Sequence, residues 1–222
     1  MCECVYMITK IRNILRGIKQ GFGTARMKQD LWDKEYAGGK WDLSKDTRGD
    51  PVYSYIRKYC NNGAVLELGC GSGNTGIEME PDTYQHYTGV DISDVAIQAA
   101  MRRSENNGRE RKNRYVQSDI LTYLPDRKFN VVLFRDSIYY VSRGQLKSTL
   151  DRYAACLEEG GVFVVTVFSR QGYRKCIEWV ENNCQVLEEY SASAAEPLIV
   201  VFRVNNRGTP RSAQNSGQRA DP

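Results

Sequence analysis

Apolar residues recur at spacings of three and four from Val5 through Ile8, Ile11, Leu15, Ile18 and Phe22, with Lys10, Arg12, Arg16 and Lys19 between them. That period predicts an amphipathic helix within residues 1–28, ended near Gly21-Phe22-Gly23. From Val65 onward the pattern changes to short apolar runs bounded by turn residues, as expected of strands buried on both faces of a parallel sheet. Such runs are Val65–Leu68, Tyr87–Ile92, Tyr115–Ile120, Phe129–Phe134 and Val162–Phe168.

Helical patterns lie between them. Asp50-Pro51 starts one through Tyr53, Ile56 and Tyr59, and Asn61-Asn62-Gly63 stops it. Ser93 is the expected N-cap of a helix whose small face is Val95, Ala96, Ala99 and Ala100. Ser142-Arg143-Gly144-Gln145 reads as a capping box before the stripe Leu146, Leu150, Tyr153 and Leu157, with Glu159-Gly160-Gly161 as the break. Ser169 is expected to cap a helix through Tyr173, Ile177 and Val180. Two last strands, near Cys184–Tyr190 and Leu198–Val204, have no helix-length segment between them and should pair antiparallel. The predicted class is α/β: a doubly wound, mostly parallel seven-stranded sheet with a C-terminal antiparallel hairpin, built from five strand–helix units and that hairpin.

At 222 residues the chain suits one domain. The division expected is a helical cap over residues 1–50, a core domain over 51–204 and a polar, disordered tail over 205–222. No run of apolar residues is long enough to span a bilayer, so a cytoplasmic setting is expected. Seven cysteines, an odd number without a C-x-x-C pair, fit buried small hydrophobes in a reducing compartment better than a disulfide framework or a metal site. The net charge of +4 does not argue for nucleic acid as a partner, and it leaves oligomeric state open.

The candidate chemistry sits where strands end. Val65-Leu66-Glu67-Leu68-Gly69-Cys70-Gly71-Ser72-Gly73-Asn74-Thr75-Gly76 is a strand running into a turn whose alternate glycines let a ligand approach the backbone. Gly71 to Gly76 fits G-x-G-x-x-G, the dinucleotide fingerprint, so a nicotinamide or flavin oxidoreductase is one reading. Asp91, with Ile92, ends the second strand where an acid accepts hydrogen bonds from ribose hydroxyls, which points to a nucleoside without naming it. The only histidine, His86, falls at the opposite end of that strand, against a histidine-based mechanism.

The longer pattern Glu67-x-Gly69-x-Gly71-x-Gly73 resembles the first motif of the class I S-adenosylmethionine-dependent methyltransferases. Asp119 followed by Ile120, after the third strand, resembles their adenine site, and the closing hairpin matches the order of their sheet. Trp32-Asp33-Lys34-Glu35-Tyr36, with Trp41 beyond it, resembles the N-terminal segment that covers the cofactor in many small-molecule members. The resemblance spans roughly residues 31–204. It implies S-adenosyl-L-methionine as cofactor, with Gly69 and Gly71 beneath its methionine part and Glu67 making a water or amino contact. It further implies Asp91 on the ribose, Asp119 and Ile120 on the adenine, the Arg135 carbonyl toward the ammonium, and Trp32 and Tyr36 as cover.

Methyl transfer is an in-line displacement from a sulfonium, so positioning and exclusion of water carry much of the work. Asp136 is the best-placed base, and Tyr139 or Tyr140 offers a ring face to a cation. After the fourth strand, Arg135-Asp136-Ser137-Ile138 departs from the Asp/Asn-Pro-Pro-aromatic run of enzymes that methylate exocyclic base amines or glutamine, and no Pro-Cys nucleophile is present. A small-molecule acceptor methylated on nitrogen or oxygen is therefore the leading expectation. An RNA or protein methyltransferase, an NAD-dependent oxidoreductase and a non-catalytic cofactor-binding module are the alternatives.

Overall fold

A computed structural model describes residue 20 and residues 23–41, 46–191 and 197–205. Most of the helix expected within residues 1–28, and all but the first residue of the expected tail, lie outside the described residues.

Seven strands form one sheet in the order β3-β2-β1-β4-β5-β7-β6. They are β1 Ala64–Leu68, β2 His86–Asp91, β3 Asn113–Gln117, β4 Phe129–Arg135, β5 Leu157–Val167, β6 Cys184–Tyr190 and β7 Leu198–Val204. The first five run parallel, and β7 lies antiparallel between β5 and β6. The expected α/β architecture and closing hairpin are thus both present.

Alternation along the central strands separates two cores. Leu66, Leu68, Val132, Phe134, Phe163 and Val165 face one way, onto Leu146, Leu150 and Tyr153 of α5 (Arg143–Ala154) and Ile177 and Val180 of α6 (Arg174–Asn183). Val65, Val131, Leu133, Val162 and Val164 face the other way, onto Val52, Ile56 and Cys60 of α2 (Val52–Cys60). With helices on both faces, the central strands must be apolar throughout, which is why they read as continuous runs. The helix α2 ends as expected, with Asn61 and Asn62 at φ of +47° and +53°, a region asparagine tolerates.

Several expectations need correction. The third strand stops at Gln117, and Asp119 lies in the turn beyond it. There its carboxylate accepts the Leu121 N–H at 2.8 Å, a side-chain turn that bends the chain out of the sheet. No helix follows β3, so the strand–helix alternation is broken between β3 and β4. The strand β5 begins at Leu157, ahead of the Gly160-Gly161 break. It shifts register against β4 between Phe129 and Val131, and Leu157 belongs to it rather than to α5. Phe168 falls outside β5 and is 55% exposed. Ser142 is the N-cap of α5 without bonding its backbone N–H groups; its hydroxyl pairs with Gln145 Oε1 at 2.7 Å, so the two side chains satisfy each other. Ser169 Oγ accepts Gly172 N–H at 3.1 Å, one turn ahead of α6, whose N-cap is Tyr173.

The described N-terminal region is itself helical. Helix α1 (Ala25–Ala37) is capped by Thr24, whose hydroxyl accepts Met27 N–H at 3.3 Å, and none of its residues is fully buried. It is held by Asp33, which accepts from Ser93 Oγ at 2.7 Å and Val95 N–H at 3.3 Å at the N-terminus of α4 (Asp94–Asn106). A carboxylate is favoured there by the unpaired N–H groups and the helix dipole. Among the described residues no helix is long and apolar enough to cross a membrane.

Candidate active site

The carboxyl ends of β1, β2 and β4 and the turn after β3 surround a cavity of about 590 Å³, roofed by α1 and Trp41. Ligands in open parallel sheets bind at this edge, where the strand order reverses between β1 and β4.

The loop after β1 is fixed by its backbone. Gly69 and Cys70 N–H groups donate to Val90 O at 2.7 and 3.0 Å, and Gly71 N–H donates to Asp91 Oδ2 at 2.9 Å. Gly69 has φ of +83°, and a Cβ there would lie 2.6 Å from that of Ser137; at Gly71, with φ of +52°, it would lie 2.5 Å from the Tyr36 hydroxyl. Both positions therefore need glycine for conformation and for space. Gly76, which completed the dinucleotide match, sits in the one-turn helix α3 (Asn74–Glu78), where a Cβ would meet Tyr115 OH and Tyr87 Cε1, both at 2.7 Å. It serves packing on the sheet and does not line the cavity.

Asp91 is buried at the floor, and its other oxygen accepts Ser93 N–H at 2.9 Å. Burial pushes its carboxyl up, against the bonds from Ser93 and Gly71 that favour the charged form. Glu67 shares the sheet face of Val65 and is fully enclosed. Thr75 Oγ1 donates to its Oε1 at 3.0 Å and the Tyr87 hydroxyl to its Oε2. Burial raises the Glu67 carboxyl to about 7, opposed by Tyr87, Arg135 and Thr75. Both its oxygens are held within the protein, so its evident work is to brace α3 against β2.

The Arg135 side chain is almost buried. It pairs with Asp50 at 2.5 Å, donates to the Tyr53 hydroxyl at 2.8 Å and to Thr75 Oγ1 at 3.3 Å, and lies 5.1 Å from the Tyr53 ring centre. The segment before α2 is thereby tied to the glycine loop. The next residue, Asp136, has φ of +52°, a strained region that aspartate enters more readily than most. Its Oδ1 is buried without a hydrogen-bond partner among the described residues, and burial pushes its carboxyl up although Arg135 opposes this.

Aromatic rings close the other side. Trp32 lies 5.7 Å from Trp41 and 5.1 Å from Tyr140, edge to face. Tyr139 stacks on Tyr173 at 3.8 Å with 10° between planes, and Phe168 meets Tyr173 edge-on at 5.1 Å.

The candidate cofactor and catalytic residues all line this cavity: Trp32, Tyr36, Glu67, Gly69, Gly71, Asp91, Ile92, Asp119, Ile120, Arg135, Asp136, Tyr139 and Tyr140. His86 is exposed at the opposite end of β2. Sequence reasoning missed Thr75, Ser137, Phe168 and Tyr173. A continuous apolar run hid Phe168, and no local signal marks Ser137, whose importance is its nearness to Gly69.

Residues 65–161 match the family model described as a methyltransferase domain. An mRNA cap guanine-N(7) methyltransferase of Schizosaccharomyces pombe is 27% identical over 46% of this chain and 31% of its own length. A sterol 24-C-methyltransferase of Aspergillus fumigatus is 26% identical over 61% of this chain and 38% of its own. The chain thus spans well under half the length of the curated relatives it matches. The N-methyltransferase NodS from Bradyrhizobium japonicum, solved with S-adenosylhomocysteine, superposes with a TM-score of 0.62 at 17% identity, over 80% of this chain and 98% of that one.

S-adenosylmethionine, the cofactor of this family, fits the residues present. The glycine turn carries no side chains at Gly69 and Gly71, the buried carboxylate of Asp91 and the half-buried one of Asp119 stand beyond the ends of β2 and β3, and the cavity has the size of a small-molecule site. Asp91 and Asp119 would hold the nucleoside, and the Gly69–Gly71 backbone the amino acid part. Residues 65–161 match the methyltransferase-domain family, and the sheet around them has the class I S-adenosylmethionine-dependent methyltransferase fold.

Proposed function

We propose that this chain transfers a methyl group from S-adenosylmethionine to a nitrogen or oxygen of a small molecule. The cofactor supplies a methyl group made electrophilic by a positively charged sulfur. The protein's share is placement and shielding. Asp91 and Asp119 fix the nucleoside end, and the glycine backbone allows close approach at the other. Trp32 and Tyr36, on a helix pinned by Asp33, cover the cavity and keep water from the reacting atoms. Asp136 takes the acceptor's proton, and the Tyr140 ring faces positive charge. Residues 1–50 act as a cap, residues 51–204 as the transferase domain and residues 205–222 as a tail. The free thiols of the described cysteines suit a cytoplasmic setting.

One observation carries this reading: residues from the ends of β1, β2 and β4, from the turn after β3 and from α1, each suited to a part of the cofactor or to the transfer, meet in one cavity. To test it, the full chain is incubated with methyl-labelled S-adenosylmethionine and fractions of a cell extract. Label is expected in the low-molecular-weight fraction. Label found only in RNA or protein would replace the small-molecule acceptor with a macromolecular one, and the likeness to an mRNA cap enzyme makes RNA the fraction to compare first.

A further inference from the structure

The cavity has two unlike ends. Around the glycine loop the lining is backbone with the side chains of Glu67, Ser72, Asn74, Thr75 and Asp91. Around Asp136 it is aromatic: Tyr139 stacked on Tyr173, Phe168 edge-on to both, and Tyr140 4.7 Å from Tyr139. Phe168 stands at the mouth, over half exposed, as no residue of a closed core would.

Within this ring cluster Asp136 has an unbalanced position. Thr166 Oγ1 accepts the Asp136 backbone N–H at 3.2 Å, while the side-chain Oδ1 is buried and unpartnered among the described residues. The adjacent cation cannot fill that place, because the Arg135 guanidinium is committed to Asp50, Tyr53 and Thr75. A buried carboxylate oxygen without a partner is costly until a donor, best a charged one, reaches it. Ring faces add a preference for positive charge. A carboxylate or phosphate head would be repelled by Asp136. A hydroxyl would satisfy one hydrogen bond and leave the charge unbalanced. Only a cationic head with N–H donors answers both features.

We propose that the acceptor is an amine carried on a flat apolar body, its ammonium donating to Asp136 Oδ1 and its body lying against Phe168, Tyr139 and Tyr173. This rests on the methyltransferase reading and narrows its acceptor from nitrogen or oxygen to nitrogen. In the transfer the ammonium gives one proton to Asp136, and the freed nitrogen lone pair forms the new bond to the methyl carbon. The methyl–sulfur bond breaks with its electron pair left on sulfur. The products are the methylated ammonium ion, S-adenosylhomocysteine and a proton that Asp136 passes to solvent.

The test compares three probes with one body and different heads: phenethylamine, 2-phenylethanol and phenylacetate. Each is titrated into the full chain with and without saturating S-adenosylhomocysteine, followed by the fluorescence of Trp32 and Trp41 and by calorimetry. The amine is expected to bind at least about tenfold more tightly than the alcohol, and the acid more weakly than either. Asp136→Asn, a substitution that also suits the positive φ, should bring amine affinity down to that of the alcohol while S-adenosylhomocysteine affinity stays within about twofold. Phe168→Leu should weaken amine and alcohol together, since it removes body contact and not charge. Equal binding of amine and alcohol, or an amine preference that survives Asp136→Asn, overturns the proposal. If S-adenosylhomocysteine binds and no head-group preference exists, the acceptor assignment alone falls. If the preference exists and S-adenosylhomocysteine does not bind, the methyltransferase reading falls and the amine site stands.

Discussion

The glycine loop and the aromatic roof enclose the same cavity but are held in different ways. From Glu67 to Gly76 the geometry is set by backbone: N–H groups of Gly69, Cys70 and Gly71 are all spent on β2, and side chains are excluded at positions where a Cβ would collide. The roof is set by side chains, with rings from α1, from the turn after β4 and from the start of α6 touching one another at 3.8 to 6.4 Å. A backbone-built surface tolerates almost no substitution, whereas a ring-built one can be altered a residue at a time. A ligand common to many proteins suits the first, and a ligand particular to one suits the second.

The largest effect is expected where that contrast is sharpest. Gly69→Ala combines a φ of +83° with a Cβ placed 2.6 Å from Ser137 Cβ. It should cost about 3 kcal/mol or more in denaturant unfolding. A loss below about 1 kcal/mol would mean that the loop is softer than its hydrogen bonds imply.

Next is the titration of Glu67. With its carboxyl raised to about 7 from an ordinary value near 4.5, the folded protein holds this proton more tightly than the unfolded chain. The contribution is complete below pH 4.5 and is lost as pH rises through about 7. Glu67→Gln should remove this slope, so the difference in unfolding free energy between wild type and variant should change by on the order of 2 kcal/mol across that window. Parallel curves would show that Glu67 is charged throughout.

The smallest effect on stability belongs to the roof. Phe168→Ala should shift unfolding by under about 0.5 kcal/mol, because the ring is mostly exposed, yet methyl transfer should fall. Unchanged transfer would detach Phe168 from the acceptor side.

Legibility followed the same division. The glycine turn, Asp91 at the end of β2 and the closing hairpin could be read from the chain, because each depends on local backbone needs or on an apolar run of fixed length. The roof could be read only in part. Trp32 and Tyr36 stood out as rings in a polar segment, but the helix that carries them has no fully buried face and so no strong period. Phe168 continues the apolar run of β5 in the sequence, although the ladder ends at Val167. The apolar run through Asp119 reads as strand to its end, whereas the Asp119 side chain turns the chain out of the sheet by accepting Leu121 N–H. Ser137 and Thr75 matter through neighbours distant in sequence, which no local pattern encodes.

The central claim is that the glycine loop and Asp91 form a site for S-adenosylmethionine. Calorimetric titration of S-adenosylhomocysteine and of NAD into the wild-type chain and Asp91→Ala tests it most directly. S-adenosylhomocysteine should bind one to one, NAD should give no heat, and Asp91→Ala should weaken S-adenosylhomocysteine by about 100-fold, the worth of two hydrogen bonds to a carboxylate. Binding of NAD without S-adenosylhomocysteine, or equal affinity in wild type and Asp91→Ala, would contradict it.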